Sequence, residues 1–544
     1  MPPSFLFRRV APLATLAVLA ACAEVGPNYK APTPDWNPTS WFAPSKPAPK
    51  EVISEPVEKP IDPQWWTVFH DAELTSLEKR LADANLDVRT AALRLSQSRA
   101  SFGVTRADLF PTVDGNASYL RQRLPPQGVL GLLPSPSAGN TASVQTGSAA
   151  LGPGATSANG LGGLGGVPST SSPSSSSLFQ PFGLYQYGFD ASWELDLWGR
   201  VRRNVEGAAS SLDAAADAQR DTLLTALAEM ARDYVQLRGV QRNIETTQRN
   251  LDIAKQSLQL TQQRASGGVT TDLDVANAAA QVETVASQMP TLRAQEAQII
   301  NAIAFLIGQP PHSMVAELSV PHPIPPVPPT IPVGLPSELA RRRPDIRQAE
   351  AQLHTATADV GVAVADFYPR VTLSGSVGMQ AIAARYLGSW YDAGTYAFGP
   401  SISLPIFEGG RLNRMLELRT QQQKEAAVTY QRTVLNALHE VDNSLTAYQA
   451  EQQRRNRLEQ AVVQNRRAVK LAQDRYVQGV ADFLSVLTAE QNLLAAEQML
   501  TDSVTNVSTD LVQIYKALGG GWESEMPDKP LLPEKGGSLI DKLM

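Results

Sequence analysis

Residues 185–200 read YQYGFDASWELDLWGR. Tyr185, Tyr187, Phe189, Ala191, Trp193, Leu195 and Leu197 are apolar or aromatic, and Gln186, Gly188, Asp190, Ser192, Glu194 and Asp196 between them are polar or small. Alternation with period two marks a strand with one apolar and one wet face. No hairpin turn follows. From Gly199 the chain runs to Pro290 without a proline and turns rich in Ala, Gln, Leu, Glu and Arg, the composition of long helix. The span 200–266 alone covers 67 residues, roughly 100 Å as one helix at about 1.5 Å per residue. Leu251, Leu258 and Ala265 stand seven apart, a weak coiled-coil seam among Gln, Ala and Thr.

The pattern is duplicated. A shift of 211 residues carries Gly199-Arg200 onto Gly410-Arg411. It carries Arg264, Gly268, Val269, Leu273 and Val275 onto Arg475, Gly479, Val480, Leu484 and Val486, and Ile303 and Gly308 onto Ile514 and Gly519. Upstream, ADLFP (107–111) recurs as ADFYP (365–369), and YGFDASWELDLW (187–198) as YAFGPSISLPIF (396–407). Each repeat reads helix, strand, loop, strand, long helix, sharp tip, long helix. Repeat 1 is expected over 61–308, with strands at about 110–123 and 179–198 and a tip near 265–272. Repeat 2 is expected over 337–519, with strands at about 369–382 and 396–407 and a tip near 476–483. The Pro-rich stretch 309–336 reads as a linker and 520–544 as a C-terminal tail.

The tract 124–177 is Gly, Ser, Pro, Ala and Thr and cannot build a core, so a mobile loop is expected. Within it Gly160, Gly162 and Gly165 satisfy G-x-G-x-x-G, but no strand leads in and no helix leads out, which makes the match compositional.

Other function classes are excluded by what the 544 residues lack. Net charge is −6 with both signs interspersed, so there is no basic face for nucleic acid. The five histidines have no metal-ligand spacing, and no metal or cofactor site is expected. There is no G-x-S-x-G, no H-E-x-x-H and no paired carboxylates in a plausible pocket, so no catalytic residue is assigned and the chain does not read as an enzyme. The basic run Arg454, Arg455, Arg457, Arg466 and Arg467 reads as a solvated face pairing with acids on neighbouring helices.

At the N-terminus Arg8 and Arg9 precede an apolar run from Val10 to Ala21, too short to span a bilayer but suited to a signal peptide over 1–21. Cys22 is the only cysteine, which rules out an internal disulfide. Residues 22–60 then read as an extended, Pro-rich tether.

Segments of about ten residues with one apolar face suit outer-membrane barrel strands, although a soluble sandwich alternates equally. Two hairpins cannot close a sheet or hide its edges, and a bilayer tolerates only a closed barrel. Four strands per chain therefore require partner chains. The expected fold class is an α+β membrane protein built of two structural repeats.

Taken in order, CAEVGPNYKAP (22–32), WWTVFHDAELTSLEKRLADANLDVRTA (65–91), LPSELARRRPDIRQAEAQL (335–353) and the doubled R-x-x-x-G-V tips resemble the outer membrane factor family of tripartite efflux systems, the TolC-like channels, and in particular its lipoprotein branch. The likeness covers nearly all of the mature chain. It implies a homotrimer in which each chain gives four strands to a twelve-stranded outer-membrane β-barrel, continued by a long periplasmic α-helical barrel. It implies a passive exit duct for drugs or other small molecules, served by a periplasmic adaptor (membrane fusion) protein and an inner-membrane pump of the resistance-nodulation-division type. Leu19-Ala20-Ala21-Cys22 resembles a lipobox, with Cys22 lipidated and the protein anchored in outer-membrane lipid.

By the same resemblance Gly268, Val269, Gly479 and Val480 are adaptor-contact tips, and Tyr476 and Asp274 match positions near a closed tunnel entrance. Glycine at a reversal between antiparallel helices is also a physical need, because it accepts positive φ. Two departures stand out: Ala481 replaces the family's tip arginine, and Ser485 and Thr488 replace the aspartates that ring the TolC constriction. Asp482 and Asp272 are the nearby acidic candidates for a gate, or simply solvated tip charges. A protein-secretion duct is the neighbouring alternative. A coiled-coil lipoprotein or adhesin explains heptads and anchor but not the duplicated strand pairs.

Overall fold

The alternating segments form the long strands, and the proline-free stretches the longest helices, of the computed structural model, which describes residues 24–32, 54–57, 59–123, 181–334 and 338–526. Cys22 and the 124–177 tract with its glycine pattern lie outside the described residues. Among the described residues the strands are β1 (Glu55–Val57), β2 (Thr112–Gln122), β3 (Phe182–Leu195), β4 (Thr330–Pro332), β5 (Arg370–Ala381) and β6 (Gly394–Ser403). The principal helices are α1 (Ala72–Ala84), α2 (Leu86–Ala107), α3 (Arg200–Ser266), α4 (Asp272–Ala286), α5 (Gln288–Leu306), α6 (Pro344–Ala365), α7 (Arg411–Val477) and α8 (Phe483–Leu518). The chain divides into a strand unit, 108–196 with 369–405, and a helical unit made of the rest.

In the strand unit the order is β2-β3-β5-β6, antiparallel throughout, with β2 and β6 as edges that are unpaired among the described residues. Register puts the apolar set of all four strands on one face. Gly115, Phe189, Val377 and Tyr396 form one row across the sheet, and Val113, Ala191, Gly375 and Phe398 the next. The rows between are wet, such as Asp114, Asp190, Ser376 and Ala397. Large apolar side chains lie open on the apolar rows, Phe398 at 80% and Phe189 at 61% exposure. Where the repeats meet, Gly188 faces Gly378, and a Cβ on either would lie 2.5–2.6 Å from a carbonyl oxygen of the opposite strand. The second strand of repeat 2 ends at Ser403, short of the expected 407, because Pro405 has no N–H to give a ladder.

In the helical unit the two repeats have matching dimensions. α2 and α6 are 22 residues each, and α3 and α7 are 67 residues each. α2 packs on α3, α6 packs between α3 and α7, and α8 packs against α3 and α7. Two breaks interrupt helix that the sequence pattern runs together. Asn85 ends α1, and its side-chain oxygen accepts from the amides of Asp87 and Val88 to start α2. Ser287 separates α4 from α5, because Pro290 offers no amide to the carbonyl four residues back.

Three segments read as tether, linker and tail contribute to the packed body. β1 pairs in parallel with β4, so the stretches around 55 and 330 form a two-stranded sheet. Residues 24–32 dock on the helices: the Val25 amide donates to the Trp198 carbonyl at 3.1 Å, and Tyr29 stacks on His354 at 4.1 Å. Trp522 is buried, with Arg220 and Arg347 over its ring. The main core gathers Trp65, Phe69, Leu74, Leu77, Tyr234 and Tyr515, with Trp65 stacked on Tyr515 at 5.3 Å.

Candidate functional site: the two helical tips

Each long helix reverses through the same backbone device. At tip 1 the Val269 amide donates to the Arg264 carbonyl and the Gly268 amide to Ala265, both at 2.9 Å. At tip 2 Val480 donates to Arg475 at 2.9 Å and Gly479 to Tyr476 at 3.0 Å. This paired closure is a Schellman turn, which needs a left-handed residue just past the helix. Gly268 and Gly479 supply it, with φ of 71° and 74°. A Cβ at either glycine would meet nothing within 4 Å, so the demand is conformational and not one of space.

The return helices start differently. At tip 1 Thr271 accepts from the Asp274 amide at 3.4 Å while the Asp274 carboxylate accepts from the Thr271 amide at 3.3 Å, a capping box. The Asp274 carboxylate also accepts from the Thr270 and Thr271 hydroxyls, and the Thr270 bond is the main cause holding its pKa below the usual range. At tip 2 the Asp482 carboxylate caps, accepting from the Ser485 amide at 3.2 Å and hydroxyl at 2.7 Å. Under the repeat shift Thr271 corresponds to Asp482 and Asp274 to Ser485, so acid and hydroxyl have exchanged places. Ser485 and the exposed Thr488, whose hydroxyl donates to the Leu484 carbonyl at 2.8 Å, are both engaged locally.

No hydrogen bond joins Tyr476 to Asp274. Tyr476 is 4% exposed in an apolar cluster with Ala278, Phe483 and Val486, its ring 5.6 Å from Phe483 in an edge-on contact. Its hydroxyl has no hydrogen-bond partner among the described residues. The Arg264 guanidinium lies 4.7 Å over that ring and donates to the Val477 carbonyl at 3.0 Å, tying the end of α3 to the end of α7. That fastening role was not assigned to Arg264 from sequence, although a basic residue in a helix's last turn is a recognised signal. Its repeat mate Arg475 is exposed. Both tips present an open aliphatic pair: Val269 and Leu273 at 64% and 68% exposure, Val480 and Leu484 at 64% and 58%.

Away from the tips, the helices are joined by polar contacts. Glu490 is buried and accepts from the Ser257 hydroxyl at 2.6 Å and the Gln473 amide at 3.2 Å; burial pushes its pKa up. Gln491 donates to Gln281 and, seven residues on, Gln498 to Gln288, each at 2.9 Å. Of the basic run, Arg454 pairs with Glu451 at 3.1 Å and Arg466 with Glu497 at 2.7 Å. Among the described residues there is no group of three or more His, Cys, Asp or Glu that could hold a metal. No described helix is long and apolar enough to cross a membrane. The tips therefore offer turns, caps and apolar contact surface.

Comparison with known proteins gives a consistent result. The family described as outer membrane efflux protein matches residues 77–309 and 335–520. The chain is 30% identical over 463 residues to the solvent efflux pump outer membrane protein SrpC of Pseudomonas putida, covering 84% of this chain and 86% of that protein. It is 30% identical over 509 residues to the antibiotic efflux pump outer membrane protein ArpC of Pseudomonas putida, covering 93% and 94%. Among solved structures, the outer-membrane channel OprN aligns with a TM-score of 0.76 and 32% identity over 92% of this chain and 99% of that one. The open-state MtrE outer membrane channel of Neisseria gonorrhoeae aligns with a TM-score of 0.70 and 26% identity over 92% and 99%.

Proposed function

The chain belongs to the outer membrane efflux protein family and is an outer-membrane efflux channel reaching into the periplasm; from that premise we propose that three copies join their sheets into one twelve-stranded barrel. The observation that carries this reading is the four-stranded sheet itself: its apolar rows are in register, and its two edges have no partner strand among the described residues. In lipid an open edge leaves backbone groups without partners at several kcal/mol each, on the order of the cost of burying an unsatisfied amide. Pairing β6 of one copy with β2 of the next removes every edge when the ring closes, a heterologous contact of the kind that builds cyclic oligomers. Apolar rows then face lipid, and wet rows face the lumen.

The helices continue the duct through the periplasm, and Val269, Leu273, Val480 and Leu484 offer the contact surface for a periplasmic adaptor that links it to an inner-membrane pump. Lipid on Cys22 adds an anchor of roughly 0.8 kcal/mol per buried CH₂. Export is passive, and the named efflux relatives favour small apolar compounds such as solvents and antibiotics as cargo. The test has two parts. Purified protein in planar bilayers should conduct as a trimer. A strain lacking its native exit duct should regain solvent or antibiotic tolerance when this chain is supplied with a matching adaptor and pump. Conductance without restored tolerance under any such pairing would leave a pore but end the efflux assignment.

A further inference from the structure

The connection between β5 and β6, residues 382–393, lies against the apolar face of the sheet. Register places Ala117, Tyr187, Met379 and Gly394 in one apolar row, and Tyr119, Tyr185 and Ala381 in the next. Met379 and Ala381, each 8% exposed, cluster with Ala393 and Leu387 of the connection. The Tyr187 hydroxyl donates to the Leu387 carbonyl at 3.2 Å. The Trp390 ring fills the space beside Gly394, where a Cβ would lie 2.5–2.8 Å from atoms of that ring. What the connection turns outward is aromatic and cationic. Trp390 is 54% exposed, Tyr386 and Tyr391 are exposed, and so is Arg385. The Arg385 guanidinium lies 4.8 Å over the Tyr386 ring and donates to the Tyr386 hydroxyl at 3.0 Å. Arg121 is exposed on the same face, two residues beyond Tyr119 and opposite Gly183. Over the described stretches at this end of the sheet, 115–123, 181–188 and 376–396, the charged residues are Arg121, Arg123, Arg385 and Asp392, a cationic excess. The apolar rows behind them, through Gly115, Phe189 and Val377 and through Val113, Ala191 and Gly375, carry no charge.

We propose that residues 382–393 form a strap that docks a phosphorylated lipid of the outer leaflet: Tyr386, Trp390 and Tyr391 seat at the boundary between acyl chains and headgroups, and Arg385 and Arg121 bind the lipid's phosphates. This rests on the barrel proposed above, whose apolar rows face lipid, and it names the lipid chemistry that one patch of that wall selects. Arg370 of β5 pairs with Ser403 of β6 at the end where these strands lead to α6 and α7. The strap joins them at the opposite end, so with the helices in the periplasm it lies at the outer surface. Its contacts are on the apolar rows, which puts it outside the lumen and against lipid. Indole and phenol rings favour the boundary because each has an apolar body and a polar tip. A guanidinium presents paired N–H donors that match phosphate oxygens, and the bond strengthens beside a medium of low dielectric. The occupant is a lipid because the strap continues the lipid-facing rows, and because uncharged rows, rings and then cations follow one another in the order of acyl chain, boundary and headgroup. Asp392 is the single acid in these stretches, so the net sign still favours an anion.

The experiment has two arms, both on the full-length protein. In the first, the trimer is reconstituted in phosphatidylcholine vesicles. Bromine on the acyl chains should quench a component of the tryptophan fluorescence that is missing in Trp390→Phe, and aqueous acrylamide should leave that component largely intact. In the second, the detergent-solubilised trimer is titrated with diphosphoryl lipid A. Lipid A stripped of both phosphates should bind roughly tenfold more weakly. Arg385→Ala combined with Arg121→Ala should remove that preference, and Arg385→Lys should keep only part of it, because an ammonium lacks the paired donors. A trimer that conducts in the same vesicles while Trp390 is quenched by acrylamide and not by bromine would overturn the strap and leave the barrel standing. Trp390 shielded from both quenchers would mean that protein covers the patch, and would overturn the lipid. A phosphate preference that survives in the double arginine variant would overturn the headgroup site. Complete competition by inorganic phosphate would overturn it too, since the site would then serve the free ion. Failure to conduct as a trimer would remove the barrel, and the strap with it.

Discussion

The helical hairpin of repeat 1 and that of repeat 2 share a backbone and differ in how it is held. Both reverse at a left-handed glycine, Gly268 or Gly479, after 67 residues of helix. In repeat 1 the return helix is interrupted at Ser287, whereas in repeat 2 it runs 36 residues unbroken. In repeat 1 the last-turn arginine is fastened to the neighbouring helix, whereas Arg475 is exposed. Farther from the tips, the half-buried acids Glu451 and Asp510 of repeat 2 stand where repeat 1 has Val240 and Ile299. The shape of a hairpin is thus set by a few backbone positions. Its stiffness, its fastening and its response to pH are set by side chains that the repeats need not share.

The largest expected effect comes from moving the interruption. Pro290 and Thr501 are repeat mates, and Thr501→Pro should cost about 3 kcal/mol or more, because it removes an interior amide and forces the ring against the preceding turn. Thermal unfolding should show a clear drop in Tm. Pro290→Thr should stabilise and let helix form across Ser287; hydrogen exchange at residues 286–290 would register it. If Thr501→Pro left α8 fully protected, the account of the Ser287 break would be wrong.

Next come the turns. Gly479→Val and Gly268→Val each force a β-branched residue to positive φ, at about 1–3 kcal/mol. Packing along the helices should preserve trimer yield, so the loss should fall on adaptor docking and on drug tolerance in a strain dependent on this duct. Unchanged adaptor docking and drug tolerance in both variants would remove the proposed contact at the tips, and unequal losses would assign it to one of them.

A smaller effect separates the arginines. Arg264→Ala removes a cation–π contact and a charge-assisted bond to a helix-end carbonyl, together about 1–2 kcal/mol. Arg475→Ala at an exposed position should stay within about 0.5 kcal/mol. Melting curves of the two variants should differ, and coincident curves would remove the fastening role of Arg264.

The smallest is the pH dependence contributed by Asp510, which has no acidic mate in repeat 1. Burial, and then Glu451, raise the pKa of Asp510 to about 6 from 3.8. A carboxyl with a raised folded-state pKa favours folding in its protonated form. That contribution is complete below pH 3.8 and is lost as pH rises through about 6. Acidification from pH 7 toward 4 should therefore stabilise the hairpin by about 1 kcal/mol once solvent screening is allowed for. Asp510→Asn should flatten the profile, and an unchanged profile would place the titration elsewhere.

What was legible in the sequence follows from where periodicity exists. Period two at 185–195 is strand β3, and the absence of proline from 200 to 266 is helix α3, because each stretch is long enough to state its period. The parallel pair β1 and β4 was not legible, since three residues have no period and the partners lie some 275 positions apart. Pro290 was in plain view, but a proline in the first turn of a new helix looks much like one kinking an old helix. At the tips the glycines could be read because a turn requires them. The fastening of Arg264 to Tyr476 and Val477 could not, because it crosses between helices whose facing sides only the packed structure defines. Asp274 and Asp482 were considered for a gate, and in the structure both cap return helices.

The equal length of α3 and α7 makes the pair a ruler for insertion and deletion during evolution. Removing one heptad from α3 alone withdraws its tip by about 10 Å while the other stays in place. The loss would have to be answered in α7 and in both return helices before the two tips were level again. Length in this protein is therefore inherited as a set of matched segments, and a lineage adapting to a thinner periplasm would shorten four stretches of its gene together.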